Sequence, residues 1–254
     1  MKYRNSLIGG LLIVMLVLFV GCEETSKKHY ADENWSDANL VRGGLLYDKW
    51  WKVNGSAEPT TDFPLYASGE GTKSGSDTWK CKECHGWDYI GDEGHYATGS
   101  HYTGFEGVWT ARLNDHADIF DAIKDEGGDH DFSSVLSDDD VLDLTKFIAD
   151  GLVDMGDYID ANGVVTGDTT NGATLFAANC EACHGADGQT LDIEEDEAGV
   201  QGVGWLADDN PWEMLHKIRW GQPGTSMPSM KDVGLTDDEC ADILAYAQNS
   251  LPGI

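Results

Sequence analysis

Two short stretches of the chain combine the residue types that can hold a metal-bearing cofactor. Cys81-Lys82-Glu83-Cys84-His85 and Cys180-Glu181-Ala182-Cys183-His184 both read C-x-x-C-H, and their first cysteines are 99 positions apart. Two thiols at this spacing can each form a thioether to one edge of a porphyrin, and the imidazole that follows can bind the iron from one face. The sequence therefore predicts two haem c groups, with the four cysteines as attachment points and both histidines as axial ligands.

Other uses of C-x-x-C fit this sequence less well. A zinc site needs four ligands, so one zinc shared between the two motifs would leave both histidines without a role. Thioredoxin-like redox sites belong to a βαβ unit, and no strand pattern surrounds either motif. The doubled motif, together with the export signal at the N-terminus, favours haem.

The N-terminus has the three parts of a secretory signal. Lys2 and Arg4 precede an apolar run over residues 7–20, which is short for a membrane span of about 20 residues. The run closes at Phe19-Val20-Gly21-Cys22, which resembles a bacterial lipobox with Phe19 in place of the usual Leu. We predict a signal peptide over residues 1–21; a retained N-terminal anchor helix is the alternative.

Acylation of Cys22 would tether the mature protein to a bacterial membrane. Residues 22–38 are then predicted to be a lipid-anchored polar spacer, because this stretch has little hydrophobic periodicity. The folded part would be exported and would lie on the periplasmic or cell-surface side. Glu23 stands where an Asp often retains lipoproteins at the inner membrane, which favours the outer membrane.

The formal net charge of −30 restricts the partners of the chain. Nucleic acid and anionic lipid surfaces are poor partners for such an acidic protein. We expect redox partner proteins with basic docking surfaces; an acidic surface that serves only solubility is the alternative. Beyond Cys22 and the four motif cysteines only Cys240 remains, and its apolar helical surroundings predict a small buried side chain and no disulfide.

The chain repeats itself with the period of its two motifs. Leu136-Ser137-Asp138 and Leu235-Thr236-Asp237 are also 99 positions apart, as are Phe147 and Tyr246. Two copies of one unit are the simplest account of this regularity. The predicted organisation is a first domain over residues 39–152, a Gly- and Asp-rich linker over 153–169, and a second domain over 170–254.

Helical periodicity and capping residues predict the elements of each copy. Residues 53–80 contain two prolines with several Gly and Ser, and are predicted to be a loop inserted before the first motif. The helices are predicted to start near Leu40, after Asp115, after Ser137, at Asn171, at Pro211 after the Asn210 cap, and at Thr236.

Each half resembles a class I cytochrome c domain, and residues 39–254 together resemble a two-domain di-haem cytochrome c. In that family a Gly-x-x-x-aromatic helix crosses a C-terminal helix that carries an aromatic residue. The matching residues are Gly43, Tyr47 and Phe147 in the first half, and Gly172, Phe176 and Tyr246 in the second. The resemblance implies an all-α fold in which each domain wraps around one covalently bound haem.

The resemblance also implies a methionine as the sixth iron ligand of the second haem. In the family this Met usually precedes a Pro in the loop before the last helix. Met227-Pro228 fits that position, and Met230 in the same loop is the alternative.

The first half departs from this pattern, since residues 86–154 contain no Met. His130 occupies the corresponding loop, 45 positions after His85 and 6 before Leu136. We therefore predict two histidine ligands, His85 and His130, for the first haem. The alternatives to His130 that remain open are His101 and His116.

The predicted ligands imply a direction of electron flow. Met/His ligation raises the potential of a haem, and a second imidazole lacks that effect. The sequence thus predicts a membrane-anchored carrier that passes single electrons from the first haem to the second, between respiratory partners. The alternatives are a di-haem oxidoreductase, resembling a thiosulfate dehydrogenase or a peroxidase, and a cytochrome subunit of a larger dehydrogenase or surface electron conduit.

Overall fold

The computed structural model describes residues 28–193 and 199–254. The predicted signal peptide, Cys22 and the acidic run at 194–197 lie outside the described residues. Within them the backbone pairs in strand fashion only at two isolated bridges, Gly91 with Glu106 and Ile159 with Val165. The predicted all-α fold is confirmed.

The described part of the chain contains eleven α-helices. In chain order they are α1 Tyr30–Asn34, α2 Leu40–Asn54, α3 Cys81–His85, α4 His116–Lys124, α5 Asp138–Lys146, α6 Thr169–Asn179, α7 Glu181–His184, α8 Val203–Asp209, α9 Pro211–Trp220, α10 Met230–Val233 and α11 Asp237–Ser250. The last turn after α5, Phe147–Gly151, is a π-helix.

The same helix crossing occurs in both halves. Helix α2 crosses α5 at Gly43, where an added Cβ would lie 2.7 Å from the Cβ of Phe147. Helix α6 crosses α11 at Gly172, where an added Cβ would lie 2.8 Å from the Cβ of Tyr246. Each glycine also faces a backbone carbonyl of the partner helix, so only a hydrogen atom fits between the two backbones.

The second helix of each crossing begins with the same capping motif. The Ser137 hydroxyl accepts from the N–H of Asp140, whose carboxylate accepts from the N–H of Ser137. Thr236 and Glu239 form the same reciprocal pair at the start of α11. Such capping boxes satisfy backbone donors that the helix itself leaves unpaired, and here they fix where α5 and α11 begin.

The two halves share a buried junction between α2 and α9. Gly44 of α2 lies against the indole of Trp220, and the Trp220 and Phe147 rings are 5.6 Å apart in an edge-on arrangement. Arg219 donates from its guanidinium to the carbonyl of Gly151 at 2.9 Å. The apolar core therefore continues from one half into the other.

Two segments that the sequence predicted to be irregular, the spacer and the linker, are folded or packed in the structure. Within the predicted spacer 22–38, residues 30–37 fold into α1 and a helical turn, and Trp35 stacks on His116 with ring centroids 3.5 Å apart. The predicted linker packs on the second half. Its Met155 is buried, and the N–H of its Val165 donates to the side-chain oxygen of Gln248 in α11. No helix of the described residues has the length and apolar character needed to cross a membrane.

Candidate haem sites

The first motif forms helix α3 and presents His85 with one nitrogen available. The Nδ1 atom of His85 lies 2.7 Å from the carbonyl oxygen of Glu106. Because a carbonyl can only accept, Nδ1 carries the proton, and the lone pair is on Nε2. Burial lowers the pKa of His85 to about 4, so the ring is neutral at pH 7. A neutral imidazole whose other nitrogen is held by a carbonyl is the usual arrangement of a metal ligand.

The structure brings His130 next to His85. Their ring centroids are 6.0 Å apart, a separation that leaves room for one metal atom between the rings. The Nδ1 atom of His130 donates to the carbonyl of Ala122 at 3.1 Å, which leaves its Nε2 with a lone pair as well. Both histidines, together with Cys81 and Cys84, line one cavity of about 180 Å³.

The competing histidines lie elsewhere. His116 stacks on Trp35 at a centroid distance of 3.5 Å. His101 pairs with the buried carboxylate of Glu83 at 3.1 Å and lines the cavity of the second motif. Among the histidines that the sequence offered as a second ligand, only His130 shares the cavity of Cys81, Cys84 and His85.

The second motif lies on a larger cavity of about 830 Å³. Cys180, Cys183 and His184 line it, and so do both candidate methionines, Met227 and Met230. Met230 is buried and starts α10, whereas Met227 is half-buried in the loop before it. The Nδ1 atom of His184 is buried without a hydrogen-bond partner among the described residues.

The motif helices end in the same unusual backbone conformation. Gly86 follows His85 with φ 78° and ψ 157°, and Gly185 follows His184 with φ 79° and ψ 161°. This region of backbone space is open almost only to glycine. The shared signal in the sequence is therefore C-x-x-C-H-G, and the two motifs are alike in backbone as well as in residue types.

The residues present at both sites fit a covalently attached haem. Burial raises the pKa of the Cys81 and Cys84 thiols to about 12 and that of Cys180 to about 11, so these sulfurs are not poised as thiolates at neutral pH. The two motifs do not come together as one metal cage; within the described ranges no three His, Cys, Asp or Glu side chains are grouped to hold a free ion. Each motif instead opens onto its own cavity.

A buried polar group at the junction of the halves was not predicted from the sequence. His216 of α9 is fully buried; its Nε2 donates to the carbonyl of Gly44 at 3.0 Å, and its Nδ1 accepts from the Tyr89 hydroxyl at 2.9 Å. Beside it, Lys217 pairs with the buried Asp48 at 3.1 Å.

Comparison with known families identifies the second half. Residues 167–246 match the family model of cytochrome c oxidase, cbb3-type, subunit III. This stretch runs from the start of α6 through the second motif and into α11. It is a c-type cytochrome domain, the class in which covalently bound haem carries electrons. The chain is similar to that family over this stretch, and no curated protein matches it.

Proposed function

We propose that the protein is an exported, membrane-anchored c-type cytochrome with two haems, one at each motif, that transfers single electrons between respiratory partners. The observation that carries the proposal is the duplication of the second half's local structure in the first. Both motif helices end at a glycine of the same conformation, and both lie beside a helix crossing closed by a glycine. A site built twice by the same local structure is expected to hold the same cofactor twice.

We assign His85 and His130 as the axial ligands of the first haem and His184 and Met227 as those of the second. The shared cavity and the free Nε2 atoms support the first pair. The cavity of the second motif supports Met227, with Met230 as the alternative. Bound haem supplies a one-electron redox centre at each place, and a Met/His pair favours the higher potential.

The junction of the halves suits electron transfer between the two sites. Trp87 follows the first motif by two residues, packs on His216 at a centroid distance of 5.0 Å, and lines the cavity of the second motif. Tyr47 donates to the carbonyl of Gly86 at 2.6 Å, which ties α3 to α2. Both sites are therefore held on one packed framework.

The partners we propose are redox proteins with basic docking surfaces, because the chain carries a formal charge of −30. Acylation at Cys22 would hold the protein at a bacterial membrane, on the periplasmic or cell-surface side. Nucleic acid does not suit this charge.

Counting haems tests the proposal. The wild-type protein, produced in a host that attaches haem c, is expected to give two haems per chain in a pyridine haemochrome assay. The double variants C81A/C84A and C180A/C183A are each expected to keep one. Cys240→Ala is the control and is expected to keep two, because this thiol is buried within α11 and lines neither motif's cavity. A wild-type protein with a single haem would contradict the di-haem proposal.

Replacing His130 with alanine is expected to convert the first haem from low-spin to high-spin, because it removes one of two strong axial ligands. The ferric electron paramagnetic resonance spectrum reports this change at one haem out of two. His116→Ala is the control, since this ring stacks on Trp35 outside the cavity. An unchanged spectrum in His130→Ala, or the same high-spin signal in the control, would remove His130 from the ligand set.

A further inference from the structure

The cavity of the second motif has a basic wall that comes from the first half. Four lysines of the first half line it, and α9 adds a fifth; they are Lys49, Lys73, Lys80, Lys82 and Lys217. The whole chain has 16 Lys and Arg against 46 Asp and Glu. Five lysines around one cavity therefore stand out against the rest of the molecule.

Three of these lysines have acidic partners, and two do not. Lys80 pairs with Asp77, Lys82 approaches Glu83, and Lys217 pairs with Asp48 and Glu213. In the described ranges, neither Lys49 nor Lys73 has a carboxylate within 4.0 Å. The other acidic residues that line the cavity are Asp192 and Asp209.

The same wall contains buried polar atoms that lack a partner. Trp87 and Tyr96 both line the cavity and are only 1% and 2% exposed. The indole N–H of Trp87 and the hydroxyl of Tyr96 have no hydrogen-bond partner in the part of the chain that the structure describes. Buried donors left unpaired are rare and destabilising, so this wall lacks acceptors for two donors and has two lysines without an ion pair.

We infer that this wall is an anion-binding site, formed by Lys49, Lys73, Lys80 and Lys82 with Trp87 and Tyr96, that takes a carboxylate or a small inorganic oxyanion beside the second motif. The inference rests on the proposed function in one respect, because a carboxylate could come from the propionates of the haem attached at Cys180 and Cys183. A free oxyanion from solution is the other source of the same chemistry. An anion would pair with Lys49 and Lys73 and would supply the acceptors that Trp87 and Tyr96 lack.

The pKa of Lys49 would respond to such a site. Burial and the neighbouring ammonium groups of Lys80 and Lys217 lower the pKa of Lys49, while the carboxylates of Asp48 and Glu58 partly oppose this. A bound anion would reverse this effect, because an opposite charge close by favours the protonated amine.

The test compares two double variants of the holoprotein that lose the same charge. K49Q/K73Q removes the two lysines that have no acidic partner. K28Q/K52Q is the control, since Lys28 and Lys52 are exposed and do not line the cavity. Inorganic phosphate is titrated into each oxidised protein by calorimetry, and the midpoint potential of the second haem is measured as a function of pH.

Each source of the anion gives its own result. For a free oxyanion, phosphate binds saturably to the wild type and to the control, and the dissociation constant rises by about tenfold or more in K49Q/K73Q. For haem propionates, phosphate does not bind, and the pH step in the midpoint potential moves to higher pH in K49Q/K73Q alone, because a carboxylate without its cations is protonated more easily. Identical behaviour of K49Q/K73Q and K28Q/K52Q in both measurements overturns the site.

Haem content measured on the same samples separates this outcome from failure of the proposed function. A protein without haem at Cys180 and Cys183 contradicts the proposed function. Full haem content with no difference between the two double variants overturns the anion site alone.

Discussion

Replacing Gly172 with alanine is expected to lower the free energy of unfolding by about 3 kcal/mol, near the upper end for overpacking a closed contact. The new methyl group would meet the carbonyl carbon of Asp242 at 2.6 Å and the Cβ of Tyr246 at 2.8 Å. Backbone atoms cannot rotate away as a side chain can, so α6 and α11 would have to separate. Helix propensity alone would make the alanine variant more stable by about 1 kcal/mol. A loss of stability would therefore show that the new methyl group collides with α11. Denaturant unfolding of the holoprotein measures it.

Gly43→Ala is expected to have an effect of similar size at the first crossing, because its methyl group would meet the backbone of Asp143 and the Cβ of Phe147. Ala177→Ser is the matched control. It adds one heavy atom at an exposed position of α6 and is expected to change stability by less than about 0.5 kcal/mol. If either glycine variant were as stable as the wild type, the close crossing would be refuted.

Acidification from pH 6.5 to pH 5 is expected to remove about 2 kcal/mol of stability through His216, at about 1.4 kcal/mol per pH unit. Burial lowers the pKa of His216 to about 3, against an ordinary value of 6.5. Between these values the unfolded chain binds a proton that the folded chain does not. The contribution of this residue is therefore complete above pH 6.5 and falls progressively towards pH 3.

The His216→Gln variant isolates this effect. A glutamine amide can still donate to Gly44 and accept from Tyr89, but it does not titrate. The difference in unfolding free energy between wild type and variant is expected to change by about 2 kcal/mol over the same pH interval. Carboxylates titrate equally in both proteins and cancel in the difference. Parallel stability curves would show that His216 is not the titrating group.

The features that repeat along the chain could be predicted from the sequence. The motifs and the capping sequences depend on neighbours within a few positions or on a fixed period. They carried the resemblance to class I cytochrome c domains, and that resemblance implied the all-α fold and the glycines at the crossings. The structure places His130 in the cavity of His85, and its role as an iron ligand stays a prediction.

The features that depend on how the halves meet could not be predicted in this way. His216 is a buried polar residue of α9, and nothing in the neighbouring sequence distinguishes it from a surface histidine. The basic wall draws lysines from α2, from the inserted loop and from the residues around Cys81, which come together only in the folded chain. Helix α1 has five residues, too few to show a periodic pattern.

The buried junction has a consequence for how the two copies can diverge. Without α9, the first half would expose Gly44, Tyr89 and Phe147 to solvent. Without α2, the second half would expose Trp220, and the Nε2 atom of His216 would lose its hydrogen bond to Gly44. Neither copy can therefore be deleted, or exchanged for a foreign module, without a new surface being built in its place. A substitution on one side of the junction is therefore constrained by its fit to the other side.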